Sequence, residues 1–181
     1  MSEKYKFNNP EGLYFVTSTI VHWIDLFTRK ELKHIVIDSM KFCQNEKGLI
    51  VHAWCLMPSH LHMIVSANDQ KLSDIFRDFK KFTSKAIIAE LEQINESRKE
   101  WLLNAFRKSG EQLKRVKNHK VWQDGNQPKE IETSEFLDQK LAYVHNNPVE
   151  AQIVDEAEHY LFSSARDYSG YKGLLDVVLL E

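Results

Sequence analysis

The sequence predicts an α+β fold in which helices pack on an antiparallel sheet. Predicted strands and helices follow one another in the order strand, helix, strand, strand, helix, strand, helix, which is typical of this class. The two central strands, 50–57 and 60–67, are separated only by Pro58 and Ser59. Because so short a connection can join only antiparallel neighbours, these strands should form a hairpin.

The first predicted elements are a strand and a helix. Residues 13–22 alternate in polarity and are rich in Phe, Val, Thr and Ile, which favours a strand. Residues 29–46 carry apolar side chains near helical spacing, and Lys47-Gly48 then supplies a stop. We therefore expect a helix that ends at this glycine and leads into the hairpin.

The second half of the chain should be mainly helical. An apolar stripe from 72 to 93, in which Phe82 is included, predicts a long helix lying on the sheet. The segment 98–120 predicts a helix followed by a basic loop around Ser109-Gly110. A short strand is expected at 121–123.

The last predicted helix begins with Ser134 as its N-cap and ends near Asn146. Its end is set by Pro148, because the residue before a proline avoids the helical region. The tail 160–181 ends in an apolar run that should pack back on the body.

Length and composition indicate one domain. The 181 residues, of which 43% are hydrophobic, are enough for one core. We expect a single domain spanning 1–181, with a basic helical insertion near 93–120 and the tail at 160–181. Since the N-terminus lacks a secretory signal and no long apolar run is present, we expect a cytoplasmic protein. Cys43 and Cys55 should be buried, reduced thiols.

Charge is unevenly distributed along the chain. The formal net charge is only -2, but residues 77–120 contain twelve Lys and Arg against six Asp and Glu. This pattern indicates one basic region that could meet a polyanion. The candidate DNA-binding residues are Lys80, Lys81, Lys85, Arg98, Lys99, Arg107, Lys108, Lys114, Arg115 and Lys117. A solvated helix face is the alternative for any single lysine, and Trp101, Phe106 and Trp122 could either stack on bases or belong to the core.

His60 and His62 are the first candidate site residues. Because strand side chains alternate with period two, these imidazoles project from the same face. Two adjacent imidazoles suit a divalent metal. A lone His-x-His pair is more often a pair of ordinary strand residues, so the assignment depends on a second motif.

Tyr143 and Asn147 form the second candidate pair. They are four residues apart, so they share one helix face. If that face meets the histidine strand, two imidazole nitrogens and the Asn147 carbonyl oxygen could bind Mg²⁺ or Mn²⁺. Tyr143 could then act as an oxygen nucleophile on a phosphodiester. In the alternative interpretation Tyr143 is a helix-end aromatic and Asn147 only precedes the stop at Pro148.

These motifs resemble a known family. Pro58-Ser59-His60-Leu61-His62, the basic segment 79–85, Val121-Trp122-Gln123 and the segment 143–149 are similar in order to the single-tyrosine HUH transposases, and to their REP-associated tyrosine transposase branch in particular. The resemblance runs from about residue 13 to 180. It implies a ferredoxin- or RNA-recognition-like HUH endonuclease core.

The resemblance also implies an activity. His60 and His62 would be the HUH metal ligands, Asn147 would complete the metal site, and Tyr143 would be the nucleophile. The implied reaction is cleavage of single-stranded DNA, commonly near a hairpin, with a 5′-phosphotyrosine and a free 3′-OH as products. Family members include monomers and dimers whose sites are completed in trans, so a homodimer stays open.

Two other functions are compatible with the residues. One is a non-catalytic module that binds single-stranded nucleic acid on the same fold. The other is a hydrolase in which a metal activates water and Tyr143 only orients it. A pure binding module has no need for two facing imidazoles together with a tyrosine and an asparagine one helical turn apart, which favours the transposase over it. The hydrolase stays open, and a covalent adduct between protein and DNA would exclude it as the sole chemistry.

Overall fold

Four strands form one antiparallel sheet in the computed structural model, which describes residues 6–68, 70–111 and 119–180. The strands are β1 (Tyr14–Thr19), β2 (Leu49–Leu56), β3 (His60–Ala67) and β4 (Lys129–Glu130). Their order across the sheet is β2-β3-β1-β4, and each neighbouring pair is antiparallel. The helices are α1 (Lys30–Lys47), α2 (Leu72–Gln93), α3 (Lys99–Glu111), α4 (Ser134–Glu150) and α5 (Ala165–Tyr168). The predicted α+β class is confirmed.

The sheet is covered on both faces. All six residues of β1 are buried, although successive side chains point to opposite sides. Tyr14 contacts the ring of Phe7, which stacks on Phe76 of α2. Phe15 instead lies against Tyr143 of α4. Thus α2 and α4 occupy opposite faces, and β1 contributes side chains to both.

The predicted hairpin and the first two helices are present. β2 and β3 pair from Leu49↔Ala67 to Leu56↔Leu61 across Pro58 and Ser59. α1 ends at Gly48, which adopts φ +67° and donates its backbone N–H to the Cys43 carbonyl. A glycine is favoured at this left-handed position because it has no Cβ.

The prediction that Phe82 lies on the sheet is wrong, since this ring is 62% exposed. Thr83 occupies the buried position instead, and its hydroxyl accepts a hydrogen bond from Trp122 Nε1 at 2.9 Å. The spacing from Phe79 to Thr83 is one full turn, whereas Phe82 lies to the side of the stripe.

The loop predicted at Ser109-Gly110 is also wrong, because both residues are buried within α3. Ser109 donates to the Ala105 carbonyl at 2.9 Å and hydrogen-bonds His22 Nε2 at 3.0 Å. A small polar pair therefore serves as a packing site against the turn at Val21–Trp23, and it does not interrupt the helix.

The predicted start and end of α4 need correction. Thr133 is the N-cap, and its hydroxyl accepts from the Phe136 N–H at 3.2 Å. The helix runs through Pro148 to Glu150, with Pro148 buried inside it. A proline so near the end of a helix costs few backbone hydrogen bonds, so its last turn can persist.

The strand expected at 121–123 is reduced to one bridge, between Ile20 and Trp122. The continuous pairing lies further on, where β4 joins Tyr14 and Phe15 of β1. The segment around 162–164 runs beside β2. The Leu56 N–H donates to the Phe162 carbonyl at 2.9 Å, and the Ser164 N–H donates to the Trp54 carbonyl at 2.9 Å. Cys43 and Cys55 are buried and unpaired as expected.

Candidate active site

The two histidines lie side by side on β3. His60 pairs in register with Thr19 and His62 with Thr17 of β1. Their ring centroids are 4.6 Å apart. The same-face projection predicted from the His-x-His spacing therefore places two imidazoles within reach of one ion.

His62 is the more constrained of the two. It is buried, and its Nδ1 hydrogen-bonds the Thr17 hydroxyl at 2.9 Å. Its Nε2 is buried with no hydrogen-bond partner among the described residues, which is uncommon for a buried polar atom. Burial, followed by the nearby His60 and Lys140, lowers the pKa of His62 to about 3. The ring is therefore neutral near pH 7, as a metal ligand must be.

His60 is oriented in a similar way. Its Nδ1 hydrogen-bonds the Ser59 hydroxyl at 3.0 Å. Burial lowers the pKa of His60, and a side-chain hydrogen bond with Asn147 partly opposes that effect. Asn147 thus reaches the histidine pair from α4.

Tyr143 completes the cluster from the same helix. Its ring centroid is 5.1 Å from that of His62 and 6.0 Å from that of Phe15. The residue is 40% exposed, which leaves it accessible to a large substrate. The structure therefore brings together His60, His62, Tyr143 and Asn147, all from one chain.

A metal is compatible with these residues. The described residues contain no group of three or more His, Cys, Asp and Glu side chains that could hold an ion. The candidate ligands are instead two imidazoles and a carboxamide, a set that suits Mg²⁺ or Mn²⁺. The unpartnered Nε2 of His62 fits this role, because ligation would supply the missing interaction. Its proton would then sit on Nδ1, where Thr17 can accept it.

Sequence reasoning missed three neighbours of the site: Phe15, Thr17 and Lys140. Phe15 stacks on His62 with ring centroids 5.5 Å apart. Thr17 could be found only from the register of β1 against β3. Lys140 lies three residues before Tyr143, a spacing that could have placed it on the same helix face.

A basic groove lies on the α2 side of the sheet, opposite the face that α4 covers. It encloses about 1100 Å³ between α2 and the segment 119–126. Its cationic lining residues are Arg77, Lys80, Lys81, Lys85 and Lys120. Lys81 and Lys85 are exposed, which leaves their ammonium groups accessible.

Lys80 has a structural role in this groove. Its Nζ donates to the Gln123 carbonyl at 3.1 Å and to the Gly125 carbonyl. Burial is the main cause that lowers the pKa of Lys80 to about 8. This lysine therefore ties α2 to the segment that borders β1.

The other predicted DNA-binding residues differ in their surroundings. Arg98 contacts Asp25 at 2.7 Å and Glu96 at 3.3 Å, and Arg107 contacts Glu111 at 2.6 Å. Lys99 donates to the Glu92 carbonyl at 3.0 Å, while Lys108 is exposed. The predictions for Lys114, Arg115 and Lys117 lie outside the described residues.

The three aromatic residues near the basic segment also separate. Phe106 and Trp122 are buried in the core, whereas Trp101 is 54% exposed. Of these three rings, Trp101 alone presents a face to solvent on which a base could stack.

None of the helices in the described part of the chain combines the length and the apolar character that a membrane span requires.

Comparisons with known proteins bear on the family and the fold of this chain. Residues 22–107 match the sequence profile of the family described as "Transposase IS200 like". No match was found among curated proteins.

Two solved structures are similar to this chain. The structure of a REP-associated tyrosine transposase bound to a REP hairpin aligns with a TM-score of 0.62 and 21% identity, covering 100% of this chain and 96% of that one. A candidate transposase from Deinococcus radiodurans aligns with a TM-score of 0.42 and 15% identity, covering 81% of this chain and 97% of that one. The first alignment supports the fold. The family match over 22–107 supports a transposase function, and the resemblance of this chain to the IS200-like transposases, predicted from its motifs, is confirmed.

Proposed function

We propose that this protein is a metal-dependent transposase that nicks single-stranded DNA and transfers the strand through a 5′-phosphotyrosine on Tyr143. The observation that carries the proposal is the position of the Tyr143 ring, 5.1 Å from the ring of a histidine whose Nε2 is buried and unpartnered. A tyrosine, two neutral imidazoles and a carboxamide converge where a phosphodiester could enter.

Tyr143 would supply the nucleophile. Its Oη forms a bond to phosphorus as the bond from phosphorus to the 3′ oxygen breaks. The phenolic proton passes to solvent, and the departing 3′ oxygen takes up a proton. The phosphotyrosine conserves the energy of the broken bond, so the chemistry favours strand transfer or rejoining over hydrolysis. This product suits DNA transposition or a domesticated form of repeat processing.

His60, His62 and Asn147 would hold the cation. When bound, Mg²⁺ or Mn²⁺ would act as a Lewis acid on the phosphodiester and help the phenol to ionise. Thr17 and Ser59 would orient the imidazoles through their Nδ1 atoms. Since all these residues come from one chain, a second copy is not required to complete the site.

The DNA would follow the basic groove towards the site. Lys81 and Lys85 are exposed lysines on its wall. Lys108 is exposed on α3. Arg98, Lys99 and Arg107 could join the interface only if their present protein contacts rearrange or are shared. A hairpin is the substrate form we propose, because the REP-associated relative was solved with one.

Formation of the covalent adduct tests the proposal. The protein is incubated with Mg²⁺ or Mn²⁺ and with 3′-labelled single-stranded hairpin oligonucleotides from the sequence flanking its gene. We expect label at protein mass on a denaturing gel for the wild type, and none for Tyr143→Phe or His60→Ala.

Two outcomes would contradict the proposal. Cleavage without an adduct, even in short time points, would indicate that a metal-activated water is the nucleophile. Intact DNA together with binding that neither substitution changes would indicate a non-catalytic binding module. Lys30→Ala, on the exposed start of α1, serves as a surface control that should form the adduct normally.

A further inference from the structure

Lys140 is an unassigned cation beside the candidate nucleophile. It lies three residues before Tyr143 on α4, so both side chains project from one helix face. Its Nζ is 5.5 Å from the centroid of the Tyr143 ring and 5.2 Å from that of Phe15. The Phe136 ring forms a third side at 5.1 Å.

This lysine faces the histidine pair. Phe15, over which its ammonium group lies, also stacks on His62. The Tyr143 ring, over which the ammonium group also lies, is 5.1 Å from the ring of His62. The ammonium group is therefore close to the position where a phosphodiester would meet Tyr143.

Among the described residues Lys140 has no ion-pair partner, unlike three arginines of the basic region. Arg77, Arg98 and Arg107 each contact a carboxylate, whereas no ion pair of Lys140 occurs within the described ranges. Its charged neighbour is Lys129 of β4, and burial together with that lysine lowers the pKa of Lys140. A half-buried cation next to another cation is costly unless an anion joins them.

The candidate metal ligands leave the charge of Lys140 without a counter-charge, so we expect an anion as its partner. Two imidazoles and a carboxamide are neutral, so no side chain of the ligand set neutralises Lys140. The transition state for attack on a phosphodiester carries negative charge on its non-bridging oxygens. A fixed cation aimed at such oxygens stabilises the transition state.

We infer that Lys140 is a catalytic residue that contacts a non-bridging oxygen of the phosphate attacked by Tyr143. This inference rests on the proposed function and assigns a phosphate-binding position that the metal ligands do not supply. The aromatic rings of Phe15, Phe136 and Tyr143 lie around its ammonium group and hold it beside the nucleophile.

The test uses Lys140→Met and Lys140→Arg. Methionine keeps an apolar stem without charge, so it preserves packing against the three rings. We expect Lys140→Met to slow adduct formation about 100-fold at saturating DNA and metal, the usual cost of removing one transition-state donor. Lys140→Arg should recover part of that rate, and thermal melting should show that both variants fold.

A modified substrate separates charge recognition from a structural role. In a DNA whose attacked phosphate is replaced by a methylphosphonate, one non-bridging oxygen becomes an uncharged methyl group. We expect the roughly 100-fold difference between wild type and Lys140→Met to shrink several-fold on this substrate, because there is less charge to stabilise.

The inference would be overturned if Lys140→Met formed the adduct at the wild-type rate while Tyr143→Phe formed none. It would also be overturned if Met and Arg variants were equally slow on both substrates, since that pattern indicates a structural role. If every variant, Tyr143→Phe included, still formed the adduct, the proposed function itself would be refuted. Lys30→Met is the matched control for removing one exposed lysine charge.

Discussion

The two faces of the sheet treat charge in opposite ways. On the α4 face, His62 is buried and His60 is half-buried, and the pKa values of both are lowered, so their rings stay neutral. On the α2 face, the basic groove keeps Lys81 and Lys85 exposed and charged. Metal ligation needs an unprotonated nitrogen, whereas attraction of a polyanion needs full charges in contact with solvent. Under the proposed function, chemistry and DNA capture would therefore be divided between the faces.

A single segment joins the two regions. Lys80 of α2 donates to the Gln123 carbonyl, and the Gln123 N–H donates to the Thr19 carbonyl at 2.8 Å. The Asn126 carbonyl accepts from the Thr17 N–H at 2.8 Å. Because Thr17 and Thr19 pair with His62 and His60, the border of the groove is also the edge of the candidate metal site.

The largest expected effect that sharpens this comparison comes from Thr17→Val. It removes the hydroxyl that holds His62 Nδ1 without changing any charge. Loss of such an orienting partner typically costs about 10- to 100-fold in metal affinity or activity. The rate of adduct formation should fall accordingly, while DNA affinity stays close to wild type. Thr17→Ser retains the hydroxyl and should keep most of the rate, so equal losses in both variants would refute the orienting role.

The next effect concerns metal affinity. A ligand set without carboxylates should bind Mn²⁺ weakly in the free protein, and phosphate oxygens of bound DNA should strengthen binding by about tenfold or more, within the usual range of coupling between ligands. Titration of the Tyr143→Phe variant with Mn²⁺, followed by electron paramagnetic resonance with and without hairpin DNA, measures this coupling. Identical Mn²⁺ affinities in the two titrations would show that the two faces act independently.

A smaller effect is expected from removing charge in the groove. The double variant Lys81→Ala, Lys85→Ala should weaken binding of single-stranded DNA and reduce the slope of log affinity against log salt by about 1.4, at about 0.7 per phosphate contact. Adduct formation at saturating DNA should be almost unchanged. Lys30→Ala, Lys41→Ala removes the same charge from α1, and an equal change of slope in that control would show that the groove has no special role.

The smallest effect concerns the ion pairs of Glu96, one of which holds Arg98, and tests whether they stabilise the folded protein. Glu96 is buried and contacts Arg29 at 2.9 Å and Arg98 at 3.3 Å. The hydrogen bond from Arg29 is the largest cause that lowers the pKa of Glu96 to about 2. Its ionised form therefore stabilises the folded protein above the unfolded pKa of about 4.3, and that stabilisation disappears as the pH falls towards 2.

Glu96→Gln should lower the free energy of unfolding at pH 7 by about 2 kcal/mol, as expected for hydrogen bonds to a charged group. Melting temperatures measured from pH 7 to 2 should converge for the variant and the wild type at the acid end. A constant difference across that range would contradict the assigned pKa. DNA affinity at pH 7 should change less than in the groove variant.

Local patterns were sufficient for most of the fold. Period-two alternation predicted β2 and β3, helical spacing predicted α2 with its ends at Leu72 and Gln93, and Gly48 predicted the end of α1. These features depend on residues near one another in sequence, so no long-range contact was needed to predict them. The errors at Phe82, Ser109-Gly110 and Pro148 occurred where packing overrode local preference. The N-cap of α4 was misplaced by one residue, and the strand expected at 121–123 is a single bridge.

The sequence by itself determined which residues could do chemistry: the His60 and His62 pair by strand alternation, and Tyr143 with Asn147 by helix spacing. Only the tertiary structure decided that these two pairs meet. They do so because α4 packs over β2 and β3, two strands that are far from α4 in sequence. The tertiary structure also decided that Thr17 orients His62, which depends on strand register. The contact of Lys140 with Phe15 depends on how α4 packs on the sheet. The burial of a side chain depends on every element packed around it. The lowered pKa values that keep the histidines neutral therefore cannot be predicted from a local sequence pattern.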